Sequence, residues 1–260
     1  MKMRRLISAI IALLLVVNLS VTAFAAEWYL EDGDVTVSAG DGGQTVSQGG
    51  GAAVADDAPV IKQRDSSKTT DSTITIKTTG DATANVAIED VNIRSNGDAI
   101  DVGSSSANIT LEGDNKIYSE TGSALHVSDG DVTIDGSGSL EAGVDDYEHN
   151  AKIGSHEDED MSGTIHITGD ATVTTDDNTV QNRSGDGAGI GSGEDGDMSG
   201  TIIIDGNAHV EASSNDRGAG IGSGDNGKLS GKIMIGDNAR VSAVGAENSA
   251  GIGTGDDGDF

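Results

Sequence analysis

The sequence predicts an all-β chain: a right-handed parallel β-helix, or solenoid, of about six coils behind an irregular N-terminal cap. Three observations predict it. The segment GAGIGSGEDGDMSGTIIIDGNAHVEASSNDR, from Gly187 to Arg217, is followed at once by GAGIGSGDNGKLSGKIMIGDNARVSAVGAENS, and AGIGTGDDGDF opens a third copy at Ala250. A fixed period of this size signals stacked units, none of which buries its apolar face alone. Short runs within each unit place apolar residues at every second position, the spacing of strands with one buried face. No run has helical period.

Residues 1–25 stand apart from the fold. Lys2, Arg4 and Arg5 precede an apolar stretch from Leu6 to Val17, and Ala23-Phe24-Ala25 places small residues at the −3 and −1 positions of a cleavage site. This is the pattern of a secretory signal peptide cut after Ala25. Its apolar core is shorter than the roughly 20 residues of a membrane span, so no span is expected in the exported chain. Residues 26–72 read as a cap. VTVSAG and TITIKTT are strand-like, whereas QTVSQGGGAAVADDAP between them is loop-like, and a solenoid end must cover its open strand edges.

From residue 73 to 260 the repeats align as four ladders. The first is Val86, Ile109, Val132, Ile165, Ile202 and Ile233; the second is Ile88, Leu111, Ile134, Ile167, Ile204 and Ile235. A third runs Ile93, Ile117, Leu140, Val173, Val210, Val241. The fourth joins Ile100/Val102, Leu125/Val127, Ala151/Ile153, Ala188/Ile190, Ala219/Ile221 and Ala250/Ile252. Strands in units of 23 to 37 residues do not suit a sandwich, because antiparallel hairpins would not place equivalent residues at equivalent points. Parallel coils do, stacking like residues about 4.8 Å apart. The leucine-rich signature and the tandem GGxGxDxUx nonapeptide are both missing. Length varies in the turns, most of all from Thr174 to Gly187, and insertions of this kind collect on the surface loops of a solenoid, often on its binding face. Phe260 falls where Met198 stands in DGDMSG, so the repeat stops mid-unit, as expected of part of a longer chain.

Composition limits the partners. Without the signal the chain has 12 basic against 44 acidic residues, a net charge of −32. Nucleic acid and anionic membranes repel such a chain, and cations are drawn to it. It has no cysteine, so an exported chain relies on its core, on metal or on repetition rather than on disulfides.

The stacked GAGIGSG…SGTI motifs, with NGDAIDV from Asn96, SALHVSDGDVTI from Ser123 and the signal peptide, resemble secreted repeat proteins of clostridia and related gut bacteria, some of them classed as carbohydrate-binding domains. The likeness covers roughly residues 73–260. It implies a right-handed parallel β-helix and a non-catalytic, extracellular or cell-surface role. Acidic polysaccharide and calcium are the ligands it implies.

The acidic turns after each fourth-ladder strand are the candidate calcium ligands: Glu194, Asp195 and Asp197, then Asp225 and Asn226, then Asp256 and Asp257. Stacking sets 194, 225 and 256 in one column and 195, 226 and 257 in the next. Carboxylates at coil spacing repel, and calcium takes six to eight hard oxygens, turn carbonyls included. Lys228 weakens the column. A solvated acidic turn is the plainer alternative. GAGIGSG lacks the G-x-G-x-x-G spacing, the following helix and the Lys-Ser/Thr of a phosphate loop, so its glycines are expected to flatten the coil. The five histidines show no zinc-motif spacing. Asp101, His126 and Lys152, stacked on neighbouring coils, form a polar trio on an exposed face. Gly189, Gly220 and Gly251 continue that outward column. Lacking a partner arginine, the trio reads as charge-balanced surface rather than as a lyase or hydrolase centre. Aromatic residues do not recur with the repeat, so no stacking platform for sugars is expected. A glycan-binding or adhesive protein, a passive structural spacer of a larger surface protein, and a polysaccharide lyase or hydrolase are the functions left, in that order.

Overall fold

The computed structural model describes residues 25–144, 149–175 and 185–260. The expected signal segment to residue 24, Tyr147, and the centre of the Thr174–Gly187 insertion lie outside the described residues. The described chain is all-β, without an α-helix, and its strands collect in three sheets built from successive repeats. None of its helices is long and apolar enough to cross a membrane.

The first sheet runs Glu27–Tyr29, Val60–Lys62, Ala84–Glu89, Ala107–Glu112, Asp131–Gly136, Thr164–Ile167, Thr201–Ile204 and Lys232–Ile235, all parallel. The second runs from Asn92–Ser95 to Arg240–Val244. The third extends from Ile252–Gly253 back to Val35–Gly40, where the pairing turns antiparallel through Gly43–Gln48 and Val54–Ala55. QTVS is therefore strand rather than loop: its Val46 alternates inward and is fully buried against Val37. The sheets also reach upstream of residue 73, since Val35–Gly40 pairs in parallel with Ile74–Thr78. Buried Asp56 fastens this end, accepting hydrogen bonds from Trp28 Nε1 at 2.8 Å and the Ala26 amide at 3.3 Å.

The ladders face inward as the alternation demands through most of the repeats, where Ile134, Ile165, Ile167, Ile202 and Ile204 are all inaccessible to solvent, but in the last repeat the expected core residues Ile235 and Ile252 are each 46% exposed. Their register differs from the sequence alignment at one step. Ala107 pairs with Val132 and Ile109 with Ile134, two residues away from the expected match of Ile109 with Val132. In the second sheet Ile117 likewise meets Ala142, and Leu140 meets Asn115. Side chains alternate with period two, so a slip of two leaves every ladder residue inside and the pattern alone cannot detect it. Connector length decides it. Ile100 pairs with Leu125, and seven residues carry each of them to Ala107 and to Val132, which therefore pair. Asn115, 1% exposed, holds the slipped register with its amide: it accepts from Val91 N and donates to the carbonyls of Glu112 and Ser139.

A second correction concerns the expected outward column. His126 pairs with Asp101 and Gly154, not with Lys152, because Leu125 lies opposite Ile153. Lys152 points inward, 2% exposed, and its ammonium donates to the carbonyls of Thr175 and Ser213 at 2.9 Å each. Gly189, at the equivalent place one coil on, also faces inward: a Cβ there would lie 2.6 Å from the Ser213 carbonyl oxygen and 2.8 Å from Thr175 Oγ1. GAGIGSG thus narrows the coil, as its glycines led one to expect. Among the tightest positions is Gly191, with φ of +142° and a would-be Cβ 1.8 Å from the Gly222 carbonyl oxygen, in a column repeated at Gly154 and Gly222.

Candidate functional site

The polar chemistry gathers where the third-sheet strands end and turn back towards the first sheet. A buried serine closes three of these turns, and Thr254 stands at the equivalent place in the fourth. Ser155, Ser192 and Ser223 donate to the carbonyls of Glu159, Gly196 and Gly227 at 2.7 to 2.8 Å. The turn then needs a left-handed residue, supplied by Asp158, Asp195, Asn226 and Asp257 with φ between 52° and 60°. Asp and Asn tolerate that conformation better than most side chains. Much of the acidic repeat is thus a backbone requirement.

The expected columns exist as backbone stacks. The amides of Asp158, Asp195 and Asn226 donate to the carbonyls of Glu194, Asp225 and Asp256, each at 2.9 Å. Their side chains diverge. Asp195, Asn226 and Asp257 are exposed, with the neutral amide of Asn226 between two carboxylates. Asp197 Oδ1 accepts from the Lys228 amide at 2.9 Å, closing the next coil. Asp225 is 3% exposed and pairs with Arg217 Nη1 at 3.3 Å; burial pushes its carboxyl upward, and the arginine opposes this. Glu194 turns to His149. Among the described residues, the acid and histidine groups close enough to share an ion include one member of the expected set, Glu194.

Two histidine–carboxylate clusters result. In the first, His126 Nδ1 lies 3.0 Å from Asp101 Oδ1 and 3.7 Å from Asp98 Oδ2, while Nε2 lies 2.9 Å from Glu159 Oε2. His156 stacks on His126, ring centroids 3.9 Å apart and 10° from coplanar, and its Nε2 lies 2.8 Å from Asp98 Oδ1. Burial alone would lower the His126 pKa, but hydrogen bonds to Asp101 and Glu159 and the charge of Asp98 prevail and raise it to about 9. The hydrogen bond to His126 holds the Asp101 carboxyl below its usual value. Beside this cluster a cleft of about 360 Å³ opens, walled by Asp98, Thr121, Asn150, His156 and Glu157 with Gly97 and Gly122 at its edges. The second cluster is His149, Asp186 and Glu194.

Stacking alone brings Asp101 and His126 together but does not reveal Asp98 and Glu159 as their partners, nor the second cluster of His149, Asp186 and Glu194. Helical or finger-like histidine spacing is the wrong period for this chain. In a solenoid, side chains meet at coil intervals, as Asp98, His126 and His156 do at separations of 28 and 30 residues. Comparison with protein-family models, with curated proteins and with solved structures finds no match to this chain.

Proposed function

We propose that the chain is an exported, non-catalytic protein of the cell surface or extracellular space, a right-handed solenoid of six coils that binds polysaccharide through the cleft beside His156. The cleft carries this reading. Its volume of about 360 Å³ lies in the range of small-ligand sites, and its side chains are hydrogen-bonding groups of the kind that hold sugar hydroxyls. Aromatic stacking contributes little: Arg64 and Arg94 cover the rings of Tyr29 and Tyr118 at 4.2 Å, and Trp28 packs against the core. Two features weigh towards binding rather than turnover. Lys152 has its ammonium held inside on backbone carbonyls, away from any substrate. His126 keeps its proton to about pH 9, so it is no general base at neutral pH.

The test is a glycan array read with the exported chain, once in calcium and once in chelator. Retention of defined glycans is expected, with uronic-acid polymers retained only in calcium, because Asp98 and Glu157 repel them otherwise. His156→Ala combined with Glu157→Gln should weaken retention about tenfold, the loss of one or two hydrogen bonds to polar groups. Retention of no glycan would favour the passive spacer. Release of reducing or unsaturated ends from pectin, alginate, mannan or xylan would make the chain an enzyme.

A further inference from the structure

His149 and Asp186 lead into successive third-sheet strands, and Glu194 follows the second of them. The backbone fixes their meeting: the Glu194 amide donates to the His149 carbonyl at 2.8 Å, and the Asp225 amide donates to that of Asp186 at 2.9 Å. His149 Nδ1 comes within 3.3 Å of Asp186 Oδ2 and also abuts Glu194 Oε2. Asp186 is 6% exposed, and its Oδ1 is buried with no hydrogen-bond partner. His149 Nδ1 has none either, since neither carboxylate meets it with hydrogen-bond geometry. Arg217, the nearby cation, is paired with Asp225 instead. Three atoms able to ligate a metal therefore converge, in a wall where burial already pushes the carboxyls of Asp186 and Glu194 upward.

We propose that His149, Asp186 and Glu194 bind a divalent transition-metal ion of the zinc class, through Nδ1 and one oxygen of each carboxylate. The ligand atoms all lie within 4.8 Å of one another. A tetrahedral zinc centre with bonds of about 2.1 Å has ligand–ligand edges of about 3.4 Å; His149 and Asp186 stand 3.3 Å apart, and the closer Glu194 carboxylate must draw back from His149 to take its place on the ion. The imidazole selects zinc over calcium and magnesium, which take oxygen. Three protein ligands leave a fourth position open. The ion would neutralise two crowded carboxylates and tie one coil to the next, so it stabilises the folded chain alone. The proposal does not rest on the glycan reading.

Chelator-stripped exported chain, titrated with zinc sulfate in a calorimeter and melted with and without it, tests the site. One equivalent should bind at least about tenfold more tightly than calcium or magnesium. A hundredfold excess of zinc over its Kd should raise the melting temperature by about 5 °C. His149→Ala and Asp186→Asn should each weaken zinc about tenfold or more, because each removes one of three ligands. Asp186→Asn keeps the side-chain shape and removes the orphaned charge, so without zinc it should melt no lower than the parent, which separates ligand loss from misfolding. His126→Gln should leave zinc affinity unchanged. The absence of stoichiometric binding, equal affinity in both ligand variants, or loss of affinity in His126→Gln would each overturn the assignment.

Discussion

Replacing Ile204 by aspartate is expected to abolish the cooperative melt of the chain or to lower its midpoint by more than about 10 °C. Ile204 is inaccessible to solvent and stands between Ile167 and Ile235 in the parallel first sheet. The substitution removes a branched apolar side chain from the core, worth about 2–5 kcal/mol. It also buries a carboxylate with no partner, which costs several kcal/mol more. Against a total stability of about 5–15 kcal/mol, that sum is enough to unfold the coils around it. Ile203→Asp, one residue earlier, is the matched control. Ile203 points outward between His166 and Met234, so its substitution should change stability by little. Circular dichroism melts of the two variants read the difference, and equal midpoints would mean that the strand does not face as described.

The second large effect is on pH dependence, and it comes from His126. Its folded pKa is raised from 6.5 to about 9 by Asp101, Glu159 and Asp98 against the opposing effect of burial. A raised histidine contributes stability that is fully present below its unfolded value and is lost as pH climbs through the folded one. The chain should therefore lose stability between about pH 6.5 and pH 9, by about 1–2 kcal/mol after allowing for the solvent that reaches the carboxylates. His156, stacked on the same ring, and Lys77, whose charge acts on Asp101, also face this cluster. The measurement is thus a difference: urea midpoints of the parent and of His126→Gln across this range. The gap between them should close as pH rises. A gap that stays constant or widens would show that the ion cluster does not hold the proton on His126.

The architecture was legible because one physical signal dominates it. Apolar residues at every second position, repeated at coil intervals, predicted which side chains are buried, and Ile165, Ile167, Ile202 and Ile204 are buried. Register was less legible. A slip of two preserves the alternation, and only the equal connectors from Ile100 to Ala107 and from Leu125 to Val132 settle it. That slip, together with the opposition of Leu125 and Ile153, broke the expected trio by taking Lys152 inside. The acidic turns were visible as a pattern, but the left-handed backbone at Asp195, Asn226 and Asp257 accounts for their residue type without a ligand. The clusters around His126 and His149 depend on which turns meet across coils, and no local motif encodes that.

The central claim is that each repeat hydrogen-bonds in parallel to the next. Through-hydrogen-bond couplings between amide nitrogens and carbonyl carbons, measured on deuterated protein, test it most directly. A one-way series is expected: the Ile153 amide to the Gly189 carbonyl, Ile190 to Gly220, and Ile221 to Gly251, at nitrogen–oxygen distances of 3.1, 3.0 and 2.9 Å. Couplings that ran back reciprocally between paired residues, as in antiparallel hairpins, or that linked residues of one repeat to each other, would contradict it.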